Sequence, residues 1–93
     1  MTGLLEGRVA LVTGASSGNG RAIARLFADH GARVVLADLS EAPREGGETT
    51  AALIEAAHPG RARFVRSDVS RVADLEAAVG AAESWGGLDV MVN

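Results

Sequence analysis

An α/β chain built on a parallel, doubly wound sheet is predicted by three observations. Four short β-branched apolar runs recur along the chain, Ala-rich segments with helical apolar spacing separate them, and a glycine-rich turn joins the first run to the first such segment. The runs are nearly continuous in apolar residues rather than alternating, which belongs to parallel strands covered on both faces. Arg8–Thr13, Arg33–Asp38, Arg63–Ser67 and Leu88–Asn93 are the predicted strands.

The segments between them carry helical signals. From Gly18 to His30, the apolar residues Ile23, Leu26 and Phe27 share one helical face, and Gly31 stands where a helix stops. Pro43 and the Gly46–Gly47 pair weaken the start of the next segment, so its firm helix is expected after Gly47, with Leu53, Ile54 and Ala57 facing inward. Ser70 reads as the N-cap of a third helix whose buried stripe is Val72, Leu75, Val79 and Ala82, ending at Trp85-Gly86-Gly87. Right-handed crossovers then place the first two helices on one sheet face and the third on the other. The resulting strand order is 3-2-1-4, with a ligand crevice at the carboxyl ends of strands one and four, where the order reverses. The chain ends on a bare edge strand, Val90-Met91-Val92.

Composition sets the bounds. Ninety-three residues suit one domain, and 47% apolar with 23% charged residues is globular usage, not the signature of disorder. A net charge of −3, with arginines scattered among acids, offers no basic stripe and argues against nucleic-acid binding. Cysteine is absent, which removes disulfide and thiol chemistry. The opening segment Met1–Arg8 has no basic-then-apolar export pattern, and no run approaches the ~18 apolar residues of a membrane span. The expectation is a cytoplasmic protein with no membrane partner. Tyrosine is absent, and all nine basic residues are arginine, so there is no lysine.

Chemistry concentrates at Thr13-Gly-Ala-Ser-Ser-Gly-Asn-Gly20, which follows a strand and opens a helix, the context that a phosphate-binding loop requires. Gly14 permits the turn out of the strand, Gly18 lets backbone approach a ligand, and Gly20 lets the helix pack on the sheet. The N–H groups at the helix start, with the positive end of its dipole, face a pyrophosphate. Asp38 ends the second strand, where a carboxylate accepts hydrogen bonds from an adenosine ribose or caps the turn into Leu39-Ser40. Taken in order, the strand, glycine loop, helix, strand and acid favour dinucleotide binding. The hydroxyls of Ser16 and Ser17 either donate to the cofactor or satisfy the turn.

These motifs are similar to those of the short-chain dehydrogenase/reductase family, whose glycine motif is TGxxxGxG, and the similarity runs the length of the chain. Val12–Ala24 matches the first signature, Ser67-Asp-Val69 the adenine-holding segment, and Leu88–Asn93 the start of the NNAG strand. The resemblance implies a Rossmann-type dinucleotide-binding domain and an oxidoreductase that transfers hydride between NAD(H) and an alcohol or carbonyl substrate. It implies that Asp38 selects NAD, Asp68 receives the adenine amino group, the Val69 backbone meets the ring and Asn93 lies beside the ribose. Ser17 and Leu39 occupy the positions where NADP-using relatives commonly carry a basic residue, so no compensating cation is expected there. Asn19 departs from the family's isoleucine. Its backbone N–H still reaches phosphate, while its amide either adds a hydrogen bond or points to solvent. The cofactor-binding residues expected are therefore Gly14, Ser16, Ser17, Gly18, Asn19, Gly20, Asp38, Leu39, Asp68, Val69 and Asn93, with no metal ligand among them.

The family's catalytic serine, YxxxK pair and assisting asparagine lie beyond the NNAG strand, and the chain ends on that strand's first asparagine. Arg21, His30 and His58 are poor substitutes for a tyrosine and lysine that the chain does not contain. Residues 1–93 are thus expected to be the N-terminal part of a single, truncated domain whose catalytic half is absent. The complete protein is expected to form a homo-oligomer, a dimer or tetramer. The competing readings are a standalone, non-catalytic NAD-binding or sensor module, and an interaction protein that pairs through its fourth strand.

Overall fold

The computed structural model describes residues 3–93, so the first two residues of the opening segment read for an export signal lie outside it. The elements run β1 Val9–Thr13, α1 Gly18–Asp29, β2 Arg33–Asp38, α2 Thr50–Ala57, β3 Ala62–Arg66, α3 Val72–Glu83 and β4 Val90–Val92. All strand pairs are parallel, in the order β3-β2-β1-β4. One row crosses the sheet as Phe64, Leu36, Val12 and Val92.

Successive strand side chains point to opposite faces, and this divides the core in two. Val12, Val34 and Leu36 pack against Ala24 and Ala28 of α1 and Ile54 of α2. On the other face, Leu11, Val35 and Ala37 meet Ala78 and Ala82 of α3. Leu11 and Leu36 are the largest fully buried side chains, and truncating either to alanine costs about 2–5 kcal/mol.

The helix faces differ from the sequence expectation in one consistent way. Alanines, not the large residues, lie on the line of closest approach to the sheet: Ala24 and Ala28 are fully buried, Ile23 and Phe27 flank them, and Leu26 is 54% exposed. On α3 the buried line is Ala78 and Ala82, with Leu75 and Val79 half-buried, while Val72 is 72% exposed. Small side chains let the helix axes come close to the strands, and larger ones are displaced to the flanks. On α2, Thr50 and Ile54 face inward and Ala57 faces solvent.

Helix starts also shift. Thr49 caps α2, its hydroxyl accepting from the Ala52 N–H at 3.1 Å. Ser70 does not cap α3. Its hydroxyl donates to Asp68 at 2.6 Å, and the cap residue is Arg71. β4 begins at Val90 because Leu88 and Asp89 precede the ladder. The Asp89 carboxylate instead accepts from the Val9 N–H at 2.9 Å and pins the entry of β1. With every strand pointing the same way, the chain leaving β1, β2, β3 and β4 brings Thr13, Asp38, Ser67 and Asn93 to one rim of the sheet.

Candidate cofactor-binding site

The glycine turn forms the floor of that rim. Gly14 and Gly18 adopt φ +63° and +55°, the left-handed region that a side chain strains. Gly20 has a different requirement. A Cβ there would stand 2.7 Å from the Gly14 carbonyl carbon and 3.1 Å from the Thr13 carbonyl oxygen, so only glycine lets α1 come this close to the turn. The expectation for Gly20 is packing of the helix on the sheet, whereas the closest approach is to the Gly14 carbonyl in the turn, with the Thr13 carbonyl at the end of β1 next.

Two hollows share the Asp38–Leu39 wall. One, of about 310 Å³, is lined by Thr13, Gly14, Asp38, Leu39, Ser67, Asp68, Val69 and Asn93. The second, of about 380 Å³, is lined by Ser16, Ser17, Asp38, Leu39, Ser40, Ala42 and Arg44. The fold thus gathers Gly14, Asp38, Leu39, Asp68, Val69 and Asn93 around one hollow and Ser16 and Ser17 around the next. Gly18, Asn19 and Gly20 form the opening turn of α1, with Asn19 exposed.

Asp38 is half-buried and fixed from two sides. One carboxylate oxygen accepts from the Ser16 N–H at 3.0 Å and the other from the Leu39 N–H at 2.7 Å. A carboxylate has about four acceptor sites, so capping the turn leaves sites on Asp38 for further hydrogen-bond donors. Asp68 is held similarly: the hydroxyl and then the N–H of Ser70 keep its carboxyl below the ordinary aspartate range. The apolar side chains of Leu39 and Val69, 56% and 53% exposed, stand on the wall of the hollow beside it. Asn93 is tied to the end of β1, its side-chain oxygen accepting from the Thr13 hydroxyl at 3.0 Å.

The serines satisfy the loop. Ser16 donates its hydroxyl to the Ser40 carbonyl, and Ser17 accepts from the Arg44 N–H at 2.7 Å. The segment between β2 and α2 therefore lies across the glycine turn. It also brings Arg44 into the lining of the hollow that Asp38 shares. Positions 17 and 39 themselves carry no basic residue. Glu45 and Glu48 on the same segment engage α1, as donors' partners: Gly18 N–H to the Glu45 carboxylate at 3.1 Å, and the Arg21 guanidinium to the Glu48 carbonyl at 2.8 Å. Sequence reasoning missed Ser40, Arg44 and Glu45 because a Pro- and Gly-containing loop has no periodicity to place its side chains. Thr13 and Ser67 could have been found, since both sit in the motifs themselves.

Another cleft, of about 220 Å³, lies at the opposite, amino-terminal rim between Glu6, Gly7, Val9, Gly31, Arg33, Arg61 and Trp85. It is remote from the glycine turn.

A family model described as short chain dehydrogenase matches residues 8–93. The chain belongs to the short-chain dehydrogenase family. It is 46% identical over 95 residues to the mitochondrial borneol dehydrogenase of Lavandula x intermedia, covering 96% of this chain and 31% of that protein. Among solved structures, hydroxysteroid dehydrogenase from Escherichia coli superposes with a TM-score of 0.82 at 32% identity, over 96% of this chain and 36% of that one. The 3-ketoacyl-(acyl-carrier-protein) reductase from Brucella melitensis, complexed with NADH, gives a TM-score of 0.75 at 40% identity over 94% and 33%. The chain therefore spans about a third of the length of these relatives. Binding a nicotinamide dinucleotide is the property of the short-chain dehydrogenase family, and the rim hollows, glycine turn and positioned carboxylates fit such a ligand.

Proposed function

We propose that this chain is the NAD(H)-binding part of an oxidoreductase acting on an alcohol or carbonyl compound. The observation that carries the reading is Asp38, held by two backbone N–H groups in the wall shared by both rim hollows. In this reading Gly14 and Asp38 hold the adenosine ribose, Asp68 and the Val69 backbone meet adenine, Leu39 covers it, and the N–H groups from Gly18 to Gly20 face the phosphates. Asn93, braced by Thr13, lies toward the nicotinamide ribose. When bound, NAD(H) supplies the site that accepts or gives up hydride. The chain contains neither tyrosine nor lysine, and this reading assigns the proton transfer that accompanies hydride movement to none of its residues.

Preference for NAD(H) follows from charge. A 2′-phosphate brings roughly two negative charges toward Asp38, and two unit charges about 4 Å apart repel by roughly 4 kcal/mol at an effective dielectric near 20. Screening and side-chain rotation reduce this, yet half of it still exceeds a tenfold preference. The test is kcat/KM for both cofactors in the full-length protein and in its Asp38→Ser, Leu39→Arg double variant. The wild type should favour NAD(H) by more than tenfold and the variant should shift the ratio toward NADP(H). A wild type that favours NADP(H), or an unchanged ratio in the variant, refutes the role given to Asp38.

A further inference from the structure

The amino end of α1 is short of its own capping groups. Ser17 is the cap residue but makes no side-chain capping bond, and the first turn contains no acid. The charge comes instead from the loop between β2 and α2. Glu45 reaches back so that its carboxylate accepts the Gly18 N–H at 3.1 Å, while the Arg44 N–H takes the Ser17 hydroxyl. This loop is strapped down at further points, by Ser16 on Ser40, Arg21 on Glu48, and the Thr50 hydroxyl on the Ala15 carbonyl at 2.8 Å. An anionic oxygen on a helix-start N–H is the same interaction that a phosphate makes. Its own N–H and that of Gly18 hold the Glu45 carboxyl below the usual glutamate range, so the group is charged at neutral pH.

We propose that Glu45 is an internal competitor for the cofactor's phosphates, a residue that sets the affinity for phosphate-bearing ligands by occupying the Gly18 N–H. The inference rests on the cofactor reading above. A dinucleotide phosphate that takes this N–H must displace the carboxylate, and the two negative groups then repel if Glu45 stays near. Because Glu45 is exposed, it is displaced easily and tunes binding rather than blocking it. Ligands without phosphate meet no such competition. Glu45 thereby separates adenosine from adenosine phosphates, and the separation weakens with salt.

The test measures dissociation constants of NADH, ADP and adenosine for the full-length protein, E45Q and E45A, at low and high ionic strength. Glutamine keeps an oxygen for the Gly18 N–H and removes the charge, whereas alanine removes both. NADH and ADP should bind about two- to fivefold more tightly to E45Q, and at least as much more tightly to E45A, at low salt. Adenosine should be unaffected, and the gain should shrink at high salt. Variants that bind NADH as the wild type does, or more weakly, overturn the proposal, as does an equal gain for adenosine. A wild type and variants that all fail to bind NADH overturn the cofactor reading itself, and this proposal with it.

Discussion

A methyl group at position 20 has nowhere to go. Built on the Gly20 backbone, it stands 2.7 Å from the Gly14 carbonyl carbon and 3.1 Å from the Thr13 carbonyl oxygen, and closer still to the Gly14 oxygen. All of these are backbone atoms, so no side chain can rotate away and α1 must move by about an ångström. Overpacking of this kind costs about 1–3 kcal/mol, and the helix-propensity gain from glycine to alanine returns up to about 1 kcal/mol. Gly20→Ala should therefore lose about 1–2 kcal/mol of stability. NADH affinity should fall by one to two orders of magnitude, since the phosphate-facing N–H groups are displaced together and small misplacements are expensive. Gly80 provides the matched control. It lies within α3, and a Cβ there meets nothing within 4 Å, so Gly80→Ala should gain about 0.5–1 kcal/mol with NADH binding unchanged. Urea unfolding midpoints and NADH titration of the full-length variants read both effects. A Gly20→Ala protein as stable as Gly80→Ala, with wild-type NADH affinity, would refute the packing argument and the role given to the turn.

Two further predictions concern the frame around the site. The Glu55 carboxylate accepts from the Gly60 and Ala62 N–H groups at 3.1 Å, and these bonds lower its pKa from 4.5. A depressed carboxylate stabilises the fold above the unfolded value and loses that contribution as pH falls through the folded one. Glu55→Gln should thus flatten the acid loss of stability below about pH 4.5, and an unchanged slope of unfolding midpoint against pH would contradict it. Asp89→Ala leaves the buried Val9 N–H without its acceptor and should cost about 1–2 kcal/mol. Arg8→Ala breaks only an exposed pair at 3.7 Å and should cost less than about 0.5 kcal/mol. Equal losses in chemical denaturation would place the stabilisation in the ion pair instead.

The sheet was readable because its two central strands, β1 and β2, are apolar and buried on both faces, a pattern that belongs to a covered parallel sheet, and strand order followed from crossover handedness. Helix faces were less so. Apolarity picked out Leu26 and Val72, which are exposed, because hydrophobicity does not reveal where a helix axis comes nearest the strands. The residues at that line, Ala24, Ala28, Ala78 and Ala82, are selected by size. Around the site, Gly14, Asp38, Asp68 and Asn93 stand at strand ends or in the turn between elements, where sequence position fixes spatial position. Arg44 and Glu45 lie midway along an eleven-residue connection between β2 and α2. Their places depend on the bonds from Ser16, Ser17 and Gly18 that fold the connection back over the glycine turn, and spacing carries no record of such bonds. Ser70 departs for a related reason: its N–H and hydroxyl both donate to Asp68, and the helix starts one residue later, with Arg71 at the cap position.

Hydrogen exchange of the full-length protein with and without NADH tests the central claim most directly, because the two rims of the sheet give opposite answers. Protection should appear in the segment Gly14–Gly20, at Asp38–Leu39 and at Asp68–Val69, the residues around the carboxyl-end hollows. Protection confined to Glu6, Gly31, Arg33 and Arg61, around the cleft beside Trp85, or no protection at saturating NADH, would contradict the assignment of the cofactor to the glycine turn and Asp38.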